Sequence, residues 1–230
     1  MATQTDIDFD TADFDAAYTG GSLLPDGTVS GVPWDIGRVQ PLVEAAAAAG
    51  RIRGHVLDAG CGLGDNAAFL TRSGCRVTAL DASPAAVEMA RVRTRGLDID
   101  FVVADATNLS GFDGAFDAVL DSALFHTLPA KLRRPWLTSA RRVVREDGTL
   151  TLITFADVEG GMPAPLSVCE DELRDALATT HWSLDDLRSG DFLGSAEAIA
   201  GFATKVGMTP RIGPDGRTRL PCWVVTASPT

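Results

Sequence analysis

Val56-Leu57-Asp58-Ala59-Gly60-Cys61-Gly62-Leu63-Gly64-Asp65 is the stretch on which the fold turns. An apolar run ends in an acid and opens into alternating glycines. Glycine reaches positive φ without steric cost and lets a ligand approach the backbone closely. A loop of this kind joins a strand to a helix in nucleotide-binding sheets. A dinucleotide fingerprint spaces its glycines G-x-G-x-x-G, so that the third lets helix pack on strand while pyrophosphate sits at the helix N-terminus. Here the third glycine comes one residue early, at Gly64, and Asp65 takes the expected place.

Outward from the loop, strands and helices alternate. His55–Ala59 reads as a strand, 66–72 as a helix stopped by Gly74, and Arg76–Leu80 as a second strand. Ser83 and Pro84 open a helix to about Arg95, with serine as N-cap and proline at the first position. Ile99–Ala104 and Phe116–Leu120 read as further strands. A helix follows over about Ala130–Arg145, in which Pro135 marks a kink or the true start. The turn Glu146-Asp147-Gly148 precedes a fifth strand, Thr149–Phe155. Residues 170–179 and 195–206 read as helices, and 182–187 and 220–227 as strands. Such alternation predicts a Rossmann-like α/β fold: a mostly parallel, seven-stranded sheet with helices on both faces and an antiparallel C-terminal strand. Its carboxyl edge is where ligands bind.

Aspartates end four consecutive strands at that edge: Asp58, Asp81, Asp105 and Asp121. Asp81, with Ala82 beside it, lies about 20 residues beyond the loop, where a carboxylate accepts hydrogen bonds from ribose hydroxyls. Its plainer reading is an acid at a helix N-terminus. Asp105 would reach an adenine amino group while Ala106 offers backbone. An aspartate at position 65 repels pyrophosphate at the helix N-terminus. It does not repel a positive sulfonium with a zwitterionic tail, which favours S-adenosylmethionine over NAD.

These residues together resemble the class I S-adenosylmethionine-dependent methyltransferases over 34–155. Within that superfamily, Pro33-Trp34-Asp35-Ile36-Gly37-Arg38, Asp121-Ser122-Ala123-Leu124-Phe125-His126 and Gly160-Gly161-Met162-Pro163 resemble the thiopurine, thiocyanate/halide and tellurite-resistance methyltransferases. The resemblance implies a cofactor site built from Trp34, Asp58, Gly60, Gly62, Asp81, Ala82, Asp105, Ala106 and Asp121. It places Trp34 near the methionine end of the cofactor, where a π face attracts a cation. The alternative is a tryptophan that packs the first helix.

His126 follows the fourth strand at the rim where an acceptor would sit. Its ordinary pKa near 6.5 suits a general base. It reads equally as a residue that hydrogen-bonds backbone and shapes the loop. The expected activity is methyl transfer to a small molecule, with a thiol or other soft nucleophile as acceptor. The alternatives are an O-methyltransferase of a small phenol with His126 as base, and a cofactor-binding protein without transfer activity. Leu124, Phe125, Met162, Pro163, Pro165, Leu166, Phe192 and Leu193 are expected to wall the acceptor site.

The bulk properties bound these readings. The chain has 230 residues, 45% of them apolar, which suits one domain over 34–230 preceded by a polar lead. The lead, 1–33, is expected to be a mobile lid, with Phe14 or Tyr18 touching the site. With 20 basic and 31 acidic residues the net charge is −11. That balance opposes nucleic-acid binding, which needs a positive surface. Four cysteines in no CxxC pair and three histidines offer no metal spacing. With neither a signal peptide nor a membrane-spanning run legible, the expectation is a cytoplasmic protein that acts on small molecules away from membranes.

Overall fold

The computed structural model describes residues 12–29 and 31–230. Its centre is β1 (His55–Ala59), which pairs in parallel with β2 (Arg76–Asp81) on one side and β4 (Phe116–Ser122) on the other. Strand β3 (Ile99–Val103) extends the sheet beyond β2, and β5 (Val144–Phe155) extends it beyond β4. Strand β8 (Arg217–Pro229) inserts antiparallel between β5 and β6 (Trp182–Ser195). The order is β3-β2-β1-β4-β5-β8-β6, and the two-residue β7 (Arg211–Ile212) pairs with β8. Chain order reverses between β1 and β4. The crevice at such a switch point, outside the carboxyl ends of the strands, is where open α/β sheets bind ligands.

Successive residues of one strand point to opposite faces, and both faces are covered. Val56, Val77 and Leu120 pack with α2 (Pro41–Ala48) and α3 (Asp65–Arg72). Leu57, Val119, Leu150 and Leu152 pack under Trp136 and Leu137 of α5 (Ala130–Val143) and Leu173 and Leu177 of α6 (Glu170–Thr179). Helix α4 (Pro84–Arg93) begins as expected: Ser83 is its N-cap and accepts the Ala86 N–H at 3.0 Å. Among the described residues no helix is long and apolar enough to cross a membrane.

Helix α5 starts at Ala130, as expected, and Pro135 lies inside it, so the proline is not its start. Two expectations at element level are corrected. Glu146-Asp147-Gly148 is not a turn before β5 but part of it. The register with β4 shifts between Phe116 and Ala118, and Gly148 is needed because a Cβ there would stand 2.6 Å from Val144 Cγ2. Strand β6 runs to Ser195, and the helix after it, α7, shrinks to Ala200–Val206. The polar run Arg188-Ser189-Gly190-Asp191 hid the strand, which is held by backbone pairing with Pro221–Val224.

Residues 1–11 of the expected lid lie outside the described residues. From Ala12 onward the lead forms a five-residue helix, α1 (Phe14–Tyr18), N-capped by Asp13 and seated against α4.

Candidate functional site

The β1–α3 loop is shaped by close approach. Gly64 is the N-cap of α3 at φ 81°, and a Cβ there would stand 3.1 Å from the Ala90 Cβ of α4. Gly62 has φ 51°, and a Cβ there would lie 2.9 Å from the Tyr18 hydroxyl. The Gly62 N–H donates to Asp81 Oδ2 at 2.9 Å, and the Ser83 N–H donates to Asp81 Oδ1 at 2.9 Å. Asp81 thus clamps the glycine loop to the start of α4. Burial raises its pKa, while these backbone bonds oppose the rise.

A cavity of about 280 Å³ opens at the sheet's carboxyl edge. Trp34, Gly60, Asp81, Ala82, Asp105, Ala106 and His126 line it. Asp105 turns its Oδ1 to the Thr107 N–H and hydroxyl, both at 2.8 Å. Trp34 donates its Nε1–H to the Tyr18 hydroxyl at 3.0 Å, with Phe14 5.8 Å away ring to ring. Phe14 and Tyr18 also line the cavity.

Asp58, Gly62 and Asp121 of the expected cofactor set are not among the residues that line the cavity. Asp121 is fully buried and accepts the Leu124 N–H at 2.8 Å, the Phe125 N–H at 3.2 Å and the Trp136 indole N–H at 2.7 Å. It anchors the β4–α5 loop to α5. Ala123, at φ 81°, pays for that turn in backbone strain. Asp35 and Gly37 of the 33–38 motif also have structural bonds: Asp35 accepts the Gly37 N–H and pairs with Arg93 at 2.9 Å. Arg93 in turn reaches Asp65 at 2.8 Å, so the acid at the start of α3 is held by a cation from α4.

Asp58 is buried, and its Oδ2 is without a hydrogen-bond partner among the described residues. Burial, then the Asp81 charge, push its carboxyl up to about 7 from an ordinary 3.8. A folded pKa above the unfolded one means stability that is full below about pH 4 and lost as pH rises through about 7. Asp58→Asn removes that loss. Without ligand, the variant's melting temperature should rise relative to wild type between pH 5 and pH 8. A constant difference at both pH values would show that the carboxylate is held ionised.

The pKa of His126 departs from the ordinary imidazole value. Burial, then the nearby Arg133 charge, pull it down to about 3. Its Nδ1 accepts the Phe155 backbone N–H at 3.2 Å, and its ring stacks on Phe155 at 4.0 Å. Of the expected acceptor wall, Leu124, Met162, Leu166 and Phe192 line the cavity. Phe125 turns inward beneath the Arg133 guanidinium, 5.6 Å from its ring centre. Phe155, Ile199, Phe202 and Leu220 were missed. Phe155 was legible as the last residue of its strand; Ile199, Phe202 and Leu220 reach the cavity only through the long β6–β8 pairing and α7. Among the described residues no His, Cys, Asp or Glu cluster could hold a metal.

Comparison with known proteins agrees with this geometry. A methyltransferase-domain family matches residues 56–148. The chain is 34% identical over 183 residues to the 2-heptyl-1-hydroxyquinolin-4(1H)-one methyltransferase of Mycobacteroides abscessus, covering 76% of this chain and 78% of that protein. A structure concerned with the conversion of a disulfide bond into a thioacetal group during echinomycin biosynthesis superposes with a TM-score of 0.78 at 31% identity, over 94% of this chain and 91% of that one. The Burkholderia thailandensis 1,6-didemethyltoxoflavin-N1-methyltransferase, with bound 1,6-didemethyltoxoflavin and S-adenosylhomocysteine, superposes with a TM-score of 0.59 at 26% identity, over 83% and 77%. The chain belongs to the class I S-adenosylmethionine-dependent methyltransferases. It is an enzyme that methylates a small molecule.

The site fits that cofactor. Gly60 gives the wall bare backbone where a Cβ would press on the Leu124 Cβ at 3.1 Å, and Asp81 presents a carboxylate already oriented by two N–H donors.

Proposed function

We propose that the methyl acceptor is a largely apolar, ring-bearing molecule whose nucleophile is soft or ionises readily, with sulfur favoured. The observation that carries this reading is the composition of the acceptor side of the cavity. Leu128, Phe155, Met162, Leu166, Phe192 and Phe202 line it, whereas the wall's carboxylates, Asp81 and Asp105, stand at the carboxyl ends of β2 and β3. Apolar surface is stabilised there by about 25 cal/mol per Å², and a buried charge away from a partner is penalised. The hydroxyquinolone named for the M. abscessus relative and the disulfide chemistry of the echinomycin structure both suit such a wall. The likeness to thiopurine-type enzymes points the same way.

When bound, S-adenosylmethionine supplies a methyl carbon activated by positive sulfur. The chain's own residues bind and orient. Asp81 accepts from the ribose hydroxyls. Asp105 and the Ala106 backbone take the adenine edge, and Gly60 and Trp34 flank the methionine end. Holding the nucleophile in line is worth about 7–11 kcal/mol.

Helix α1, in the described part of the lead, acts as a lid. Asp15 Oδ1 accepts the Ser83 hydroxyl at 2.5 Å and the Ala85 N–H at 3.2 Å, latching α1 over the cofactor end. Asp15→Ala should speed hydrogen exchange at 14–18 and weaken the protection that S-adenosylhomocysteine gives there. Unchanged exchange would reduce the segment to surface packing.

An acceptor screen that scores S-adenosylhomocysteine release tests the main reading. Aromatic thiols and N-hydroxy heteroaromatics should turn over faster than amines, sugars or carboxylates. A preference for a charged, non-aromatic acceptor would overturn it.

A further inference from the structure

We propose that His126 binds the acceptor's nucleophilic atom as its anion, by donating its Nε2–H, and does not remove a proton from it. The inference rests on the apolar-acceptor reading above and goes beyond it to the protonation state in which the acceptor is held.

The argument begins with the backbone. The Phe155 amide can only donate, and it points at His126 Nδ1 at 3.2 Å. Nδ1 therefore carries a lone pair, and the single proton of the neutral ring sits on Nε2. The Thr154 hydroxyl stands at 3.4 Å from the same Nδ1, so it adds a second potential donor to that edge. A base acting through Nε2 would need the opposite tautomer, with an Nδ1–H facing the Phe155 N–H, donor against donor inside the protein. Stacking on Phe155 at 4.0 Å resists a ring flip that would exchange the two edges.

The charges around the ring agree. Arg133 of α5 is the charged group that acts on His126, and its guanidinium donates to Glu172 and to the carbonyls of Leu128 and Pro165. It is a fixed cation, and it disfavours a second proton on the imidazole. Burial acts in the same direction, and the two together hold the ring neutral through the working pH range. Nε2 has no hydrogen-bond partner among the described residues, although His126 lines the cavity on its acceptor side beside Leu128 and Phe155. A donor fixed in this way favours an anion over the neutral acid, because hydrogen bonds to charged groups are the stronger ones, and it opposes the desolvation that the apolar wall imposes on the anion.

The step then balances without a base. The acceptor gives its proton to water before it is enclosed. The nucleophile–carbon bond forms, the carbon–sulfonium bond breaks, and its electron pair returns to sulfur. His126 ends the step with the proton it began with.

The test uses 4-nitrothiophenol, whose anion absorbs visible light, titrated on the full chain saturated with S-adenosylhomocysteine. The bound probe should ionise at least one pH unit below the free probe, a tenfold preference for the anion. His126→Asn can still accept from the Phe155 N–H through its Oδ1, but its amide does not reach the acceptor; its bound probe should ionise near the free value. His126→Gln offers a longer amide donor that cannot act as a base, and should recover part of the shift and of the turnover. An unshifted or raised midpoint in the wild-type complex overturns the proposal. So does a His126→Asn complex that matches wild type. If Asn fails to fold, the wild-type titration alone decides. Absence of any saturable spectral change overturns the apolar-acceptor reading and this inference with it, whereas binding without a shift overturns only the role of His126.

Discussion

Asp81→Ala is expected to weaken S-adenosylmethionine binding by at least tenfold, and by about 100-fold if both of its functions are lost together. The first is the proposed function as an ionised acceptor for the cofactor, where each hydrogen bond to a charged group would contribute about 1.5–3 kcal/mol. The second is the clamp: one carboxylate oxygen takes the Gly62 N–H and the other the Ser83 N–H. Without it the glycine loop is released from the start of α4, although the loop keeps its Cys61 N–H bond to the Leu80 carbonyl at 2.9 Å. Affinity should also weaken on acidification. Burial raises the Asp81 pKa, so the carboxylate takes up a proton at higher pH than an ordinary aspartate and stops accepting. Calorimetry on a variant with a wild-type melting curve is the measurement. Unchanged affinity would remove Asp81 from the cofactor site, and tighter binding of NAD than of S-adenosylmethionine in the wild type would remove the cofactor assignment altogether.

The parts of this molecule legible in its sequence were those written in local chemistry. Glycines at positive φ, a serine N-cap before proline and apolar runs ending in acids each leave a mark within a few residues, and they gave β1 to β4 and the carboxyl edge nearly to the residue. What the sequence could not separate was an acid that faces the cavity from one that faces the protein. Asp81 and Asp121 stand at the carboxyl ends of the two parallel strands that flank β1, in the same apolar context, yet Asp121 is turned inward by Trp136, an indole donor 15 residues further on. His126 shows the same limit. Its position at the rim was readable, but the identity of its protonated nitrogen depends on an amide 29 residues away on β5. The acceptor wall was half readable because Phe202 and Leu220 approach through long-range pairing that leaves no periodic signal.

Asp121→Ala is expected to be the most destabilising single change among the strand-end acids, in contrast to Asp58→Asn. It leaves three donors inside the protein without an acceptor: the Leu124 and Phe125 amides and the Trp136 indole. A buried donor left unpaired costs about 1–3 kcal/mol, so the variant should lose roughly 4 kcal/mol in all. For a domain of this size that is roughly 10 °C in Tm. Burial pushes the Asp121 carboxyl up to about 7 while the indole and the two amides draw it down, so the side chain is held by its donors against its surroundings. Asp121→Asn separates charge from geometry. Its oxygen can still accept from the two loop amides, but its NH₂ then meets the Trp136 N–H, donor against donor. Asparagine should therefore recover only part of the loss. Function should follow the loop. Residues 122–128 carry Leu124, His126 and Leu128 into the cavity, so kcat/KM for the acceptor should fall further than affinity for S-adenosylhomocysteine, for which the proposed contacts come chiefly from β1, β2 and β3. Equal losses in the two would place Asp121 at the cofactor after all, and a wild-type melting temperature for Asp121→Ala would mean that the three donors find water when the carboxylate is removed.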